Sequence, residues 1–158
     1  MTLFVRFEGL SEATGTLRGL PENMEKTTLL RMSQVAFDEA QRGAGRHNKP
    51  GGTGRLWASL YNRPIPKGRE VGHDPTIAKH AVFVQLGTPP HEIKPKNDVS
   101  PKNSKRKAAL RWVGGGGYIF ARVVKHPGYR GDAYLINAAT LALREFSGIL
   151  DDYLRGLD

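Results

Sequence analysis

Cysteine is missing altogether from the 158 residues, which excludes a disulfide scaffold, a thiolate zinc site and a cysteine nucleophile at once. Stability must then come from packing or from association with other chains. Long hydrophobic runs are missing too. No stretch approaches the roughly 20 apolar residues of a membrane-spanning helix, and the apolar opening at residues 1–10 already carries Arg6 and Glu8. A soluble, unprocessed chain with no membrane partner is expected. Negative charge is scarce, with 15 Asp and Glu against 24 Lys and Arg and a formal net charge of +9. Such an imbalance points to an anionic neighbour: DNA, RNA or an acidic protein surface.

What the chain has in plenty is backbone freedom. Nineteen glycines and ten prolines punctuate a sequence that is 39% hydrophobic, a pattern of a modest core carrying loops that become ordered against a partner. The length suits one domain over 1–158, with mobile loops at about 43–54 and 88–107. The cations gather in those loops. Arg42, Arg46, Lys49 and Arg55 flank one glycine-rich stretch, and Lys94, Lys96, Lys102, Lys105, Arg106, Lys107 and Arg111 crowd a second. The seven of the second group are candidate contacts to a partner or to DNA, since clustered cations attract phosphates by counterion release whatever the base sequence. No aromatic is interleaved before Trp112, so stacking of single-stranded bases is not indicated.

Periodicity supplies the elements. Leu3, Val5 and Phe7 alternate with Arg6 and Glu8, the period of two of a short strand. A first helix is expected over about 21–42. Pro21 suits its first turn, Glu22 and Glu25 its positive end, and Gly43 its stop. Met24, Thr28, Met32 and Val35, widened by Leu29 and Ala36, form its core stripe. Residues 55–60 fit a short helix or the start of a strand. Pro64, Pro66 and Gly68 predict a turn, and a short helix is expected over 76–86, ended by Gly87. Two strands, 109–113 and 118–124, flank four glycines as a hairpin. A second long helix is expected over about 132–154, capped by Asp132, with Leu135, Ala138, Ala139, Ala142, Phe146, Ile149, Leu150 and Tyr153 at helical spacing. The fold class is α+β: two long amphipathic helices packed on a small antiparallel sheet, with long basic loops.

Histidine is the first suspect for chemistry, as metal ligand and general base. The nearest pair, His73 and His80, spans a proline turn and has Asp74 as its neighbouring acid, unlike the helical spacing of four that a metal site uses. Packing or surface histidines are the simpler reading. Gly114 to Gly117 lack the following Lys and Ser or Thr of a phosphate loop and suit a hairpin tip. Ser59 and Ser100 lack the glycine-flanked elbow of a hydrolase, and Ser104 lies in a lysine-rich loop. No catalytic residue, cofactor or metal is expected.

Four short elements, in order, resemble a family of small neck and tail-completion proteins of long-tailed bacteriophages. Thr53-Gly54-Arg55-Leu56 with Ser59-Leu60 resembles the family's threonine-glycine, leucine, serine-aliphatic element, behind a long helix rich in Ala and Met. His80-Ala81-Val82-Phe83-Val84-Gln85-Leu86-Gly87-Thr88 is similar to its tyrosine-alanine and valine-glutamate-phenylalanine-glycine-threonine segment, with His for Tyr, Gln for Glu and Leu for Phe. His91, Ile93, Pro95 and Lys96, then Ala109-Leu110-Arg111-Trp112, resemble the elements that bracket a family loop. Val124-Lys125-His126-Pro127-Gly128 looks like the motif before the last helix. Residues 97–105 are longer than the usual loop, and Gly131-Asp132-Ala133 stands where a proline-phenylalanine pair is common.

The resemblance implies a non-enzymatic virion protein, assembled in the host cytoplasm. It would form a homo-oligomeric ring, with six copies expected, at the head–tail connector. Its partners would be connector, terminator or tail-tube proteins, and double-stranded DNA in the channel. Gly54, Gly87, Thr88, His91, His126, Pro127 and Gly128 would be structural motif residues, with His126 as a hydrogen-bonding corner. Alternatives are a tail terminator capping the tube, a free-standing basic DNA-binding module, and a hydrolase using His91 and His126 with Asp98 or Asp132.

Overall fold

The computed structural model describes residues 3–8, 22–48, 52–95 and 109–156. The chain divides into two compact units, one formed by Met1–Leu86 with Gly131–Asp158 and the other by Gly87–Arg130. Helices and small antiparallel sheets make it an α+β protein.

In the first unit, strand β1 (Phe4–Glu8), helix α1 (Glu22–Gly45), the single turn α2 (Arg55–Ala58), strands β2 (Leu60–Ile65) and β3 (Gly68–His73), and helix α3 (Ala81–Leu86) precede helix α4 (Tyr134–Leu154). The sheet order is β1-β3-β2, all antiparallel, with Val5 opposite Val71 and Asn62 opposite Val71 from the other side. Phe7 faces the core, as the alternation predicts, and Val71 of β3 is buried with it. Helix α1 buries Met24, Thr28, Met32, Ala36, Ala40 and Ala44 at intervals of four, with Leu29 and Ser33 beside them. Its partner α4 buries Leu135, Ala138, Ala142 and Ile149. Alanines on both sides let the two backbones approach closely.

Several boundaries differ from the sequence expectation. Helix α1 passes Gly43 and ends at Gly45, because Gly43 is buried against Tyr134 within the helix and has no positive φ. Arg46, His47 and Asn48 then close a turn onto the carbonyls of Gly43, Ala44 and Gly45. The open choice at 55–60 resolves as both elements, a helical turn followed by β2. Pro64 lies inside β2 rather than in a turn, tolerated because β2 is an edge strand. Helix α3 begins at Ala81, five residues later than expected. Asp74 Oδ1 accepts both the Thr76 N–H at 2.8 Å and the Thr76 hydroxyl at 2.6 Å, and that closed turn competes with helix. Asp132 does not cap α4. The N-cap position is Ala133, without a side-chain bond, and Asp132 turns instead to Arg46 and His47.

The second unit holds β4 (Gly87–Thr88), β5 (His91–Ile93), β6 (Leu110–Gly114), β7 (Gly117–Ala121), β8 (Val124–His126) and β9 (Tyr129–Arg130). They pair antiparallel as β4-β9, β5-β8 and β6-β7. The third pair is the expected glycine hairpin, with Gly115 and Gly116 at the tip in positive φ.

Candidate functional site

All the motif residues except Gly54 lie in the second unit. Gly87 pairs with Arg130 and Thr88 with Tyr129, while His91 pairs with His126, Glu92 with Lys125 and Ile93 with Val124. The His91 and His126 rings stack at 5.0 Å between centroids. Pro127 and Gly128 form the corner between β8 and β9. Gly128 takes φ +87, and its N–H donates to His126 Nδ1 at 3.1 Å. Gly87, at φ +79, ends α3.

In the first unit the threonine-glycine element has an equally physical basis. Gly54, at φ +64, is the N-cap of α2. Leu56 is buried, and Ser59 is wholly enclosed. Ser59 Oγ donates to the Leu56 carbonyl at 2.8 Å. With that hydrogen committed, His73 Nδ1–H donates to Ser59 Oγ at 2.7 Å and His73 Nε2 accepts the Tyr134 hydroxyl at 2.6 Å. Burial pulls the His73 imidazole down from 6.5 to about 4, and His80 pushes it the same way. A neutral imidazole satisfied at both nitrogens between two buried hydroxyls is a fold-locking network.

A second network surrounds Glu70, which is buried on the other face of β3. Arg6 and Arg63 stand opposite it on the neighbouring strands. Arg6 Nε reaches Glu70 Oε2 at 2.9 Å, while Arg63 Nη2 and the Tyr61 hydroxyl reach Oε1 at 2.7 and 2.8 Å. Burial raises the Glu70 carboxyl pKa, but the bonds from Arg6, Tyr61 and Arg63 outweigh it and hold the group below its usual range. Burial first, and then the bond to Glu70, push the Tyr61 phenol up to about 12.

Asp132 accepts from His47 Nε2 at 2.9 Å and Arg46 Nη2 at 3.3 Å. A cleft of about 260 Å³ lies beside this pair, lined by residues that include His47, Arg55, Trp57 and His80. Among the described residues no group of three or more His, Asp or Glu is placed to hold a metal ion. No described helix is long and apolar enough to cross a membrane.

Of the candidate basic contacts, Lys94 is exposed and paired with Glu92 at 3.2 Å, and the Arg111 guanidinium lies 4.6 Å over the Tyr118 ring. Lys96, Lys102, Lys105, Arg106 and Lys107 lie outside the described residues, as does Asp98.

Sequence reasoning missed the most conspicuous surface feature. The β6–β7 hairpin leaves Val113 76%, Phe120 63% and Tyr118 61% exposed. The register puts these three and Arg111 on one face, with Trp112 and Ile119 on the other. Helix α4 carries a second apolar stripe opposite its core face. Ile136, Leu143 and Leu154 are exposed by 55 to 66%, and their spacings of seven and eleven keep them on one line of the helix. That repeat was visible in the sequence. No family model, no curated protein and no solved structure matches this chain.

Proposed function

We propose that the protein is a structural component of the head–tail interface of a long-tailed phage, a neck or tail-completion protein that assembles as a ring around the DNA channel. The observation that carries this reading is the apolar side chain left open on the β6–β7 hairpin and on the outer line of α4. Exposed patches of this kind mark surfaces that meet other proteins, and a head-to-tail contact between copies closes naturally into a ring. Six copies, with the long basic loops turned toward an acidic connector or the exiting DNA, is the arrangement proposed. The ordered motifs support the family assignment, because residues 35 positions apart, His91 and His126, are strand partners.

The test is negative-stain microscopy of lysates from a phage lacking this gene, counting free heads, free tails and joined particles. Filled heads and finished-length tails that fail to join are expected. Overlong tails would assign the protein to tail termination instead, and normal infectious particles would overturn the structural role.

A DNA-binding role has its own support, since residues 99–131 contain eight Lys and Arg and no Asp or Glu. It predicts affinity for duplex DNA that falls steeply with salt. A purified protein indifferent to DNA at low salt would exclude it.

A further inference from the structure

The cleft of about 260 Å³ lies between the end of α1 and the single turn α2, within the first unit. Its volume is just below the roughly 300 Å³ at which small-molecule sites begin, so it suits a small group and not an extended chain. The lining has one electrostatic sign. None of the described lining residues is an Asp or Glu, while Arg55 contributes a fixed positive charge and His47 and His80 add more when protonated. Among the described residues Arg55 has no ion-pair partner. Asp132, which holds the His47 ring at 2.9 Å, is itself matched by Arg46 at 3.3 Å. The same ring tilts against Tyr134 at 6.0 Å between centroids, so this wall of the cleft is set by the fold. Burial of Leu56 anchors α2 and leaves its neighbours Arg55 and Trp57 exposed, the indole by 49%.

A guanidinium fork matches the geometry of a phosphate, and a half-exposed indole offers the π face on which any base stacks. We infer that the cleft binds one unpaired nucleotide, its phosphate drawn by Arg55, His47 and His80 and its base laid on Trp57. The Thr53 hydroxyl, also in the lining, is a further donor for the phosphate. A free nucleotide and an exposed base of a single strand present this same chemistry. A duplex does not, because its bases are paired and stacked inside. The cations of residues 94–111 have no aromatic among them, so they attract phosphates without regard to strandedness. Cations and an indole in one cleft add that distinction. The inference stands on the cleft alone and is independent of the assembly reading.

Trp57 and Trp112 are the two tryptophans of the chain, so Trp112→Phe, in the second unit, leaves Trp57 as the sole indole reporter. In that background Trp57 fluorescence and calorimetry are followed at low salt against four probes. These are deoxyadenosine monophosphate, inorganic phosphate, a single-stranded oligodeoxyadenylate, and its duplex with oligothymidylate. Saturable quenching by the mononucleotide, the strand or both is expected, with inorganic phosphate competing but quenching little. Equal affinity for mononucleotide and strand shows that a free nucleotide suffices, and quenching by the strand alone assigns the site to an exposed base of a strand. Arg55→Gln should weaken binding about tenfold, and Trp57→Leu, read by calorimetry, by a similar factor. Arg144→Gln removes the same charge from an exposed position of α4 and should leave binding unchanged. No saturable binding up to about 10 mM nucleotide, an equal loss in Arg144→Gln, or undiminished affinity in a folded Trp57→Leu would each overturn the site. Duplex bound as well as the single strand, with Trp57 emission unmoved, would overturn it in favour of backbone attraction. The deletion phenotype decides the neck role separately, whichever of these results is found.

Discussion

Gly43 sits directly under Tyr134. A Cβ added at Gly43 would overlap Tyr134 Cβ and stand 2.8 Å from its Cγ. Both atoms are fixed close to their backbones, so no rotamer change relieves the collision. The closeness of α1 and α4 at this point also places the Tyr134 hydroxyl on His73. Alanine in a helix interior ordinarily gains about 0.5–1 kcal/mol over glycine. Here the overlap reverses the sign, and Gly43→Ala should cost about 1–3 kcal/mol, read as a lower urea midpoint at unchanged slope. A stabilised Gly43→Ala would show that the helices are not this close.

His73 predicts a response to acid. Its folded pKa of about 4 lies below the ordinary 6.5, so between those values the unfolded chain binds the extra proton. Stability is complete above 6.5 and falls as the pH drops toward 4, by roughly 3 kcal/mol. Urea unfolding at a series of pH values checks this, and an NMR titration of the His73 ring should place its midpoint well under that of a free imidazole. A ring that titrates normally would mean that the buried network opens in solution.

Glu70 and Tyr61 set the two outer limits. The Glu70 carboxyl is held below its usual range, so the stability it contributes is present above its unfolded pKa of 4.5 and lost on further acidification. Tyr61 is raised from 10.0 to about 12, so its share is intact below 10 and lost as the pH rises toward 12. Glu70→Gln keeps the shape but removes the charge that Arg6 and Arg63 share, and should cost about 1–3 kcal/mol. Ultraviolet titration should then show one tyrosine ionising earlier than in the wild type. An unchanged alkaline titration would separate Tyr61 from Glu70.

The parts legible in the sequence were those where one physical signal dominated. The spacing of Met24, Thr28 and Met32 announced α1, and the alternation of Leu3, Val5 and Phe7 announced β1. Strand β3, the centre of its sheet, was not read at all. Its Gly-Arg-Glu-Val-Gly-His sequence looks polar because Glu70 and His73 are buried by partners on other elements, Arg6 and Arg63 for one, Ser59 and Tyr134 for the other. Burial of polar groups depends on tertiary pairing, which no period reports. The core face of α4 was legible, whereas its outer line of Ile136, Leu143 and Leu154 was passed over, since a helix with two apolar faces looks merely hydrophobic when only one stripe is sought. Gln85 shows the same limit. Its Oε1 accepts the Leu135 N–H at 3.3 Å at the start of α4, a role invisible without knowing that the two segments meet.

The corner at Gly128 gives the sharpest test of the motif residues. Gly128 holds φ +87, and a Cβ there would stand 2.6 Å from the Thr88 carbonyl oxygen and 2.9 Å from Pro90 N. Strain from the left-handed backbone costs about 1 kcal/mol for alanine, and the collision with the Thr88–Pro90 backbone adds to it. Gly128→Ala should therefore loosen the second unit, raising amide exchange in β4, β5 and β8 while α1 and α4 keep their protection. His126→Ala removes the acceptor for the Gly128 N–H and the ring stacked on His91, at a cost of about 1 kcal/mol. His126→Asn offers a shorter acceptor and should restore part of the loss. If Gly128→Ala left exchange in these strands unchanged, the histidine-proline-glycine corner would have no structural part in this unit, and the resemblance resting on it would lose its physical basis.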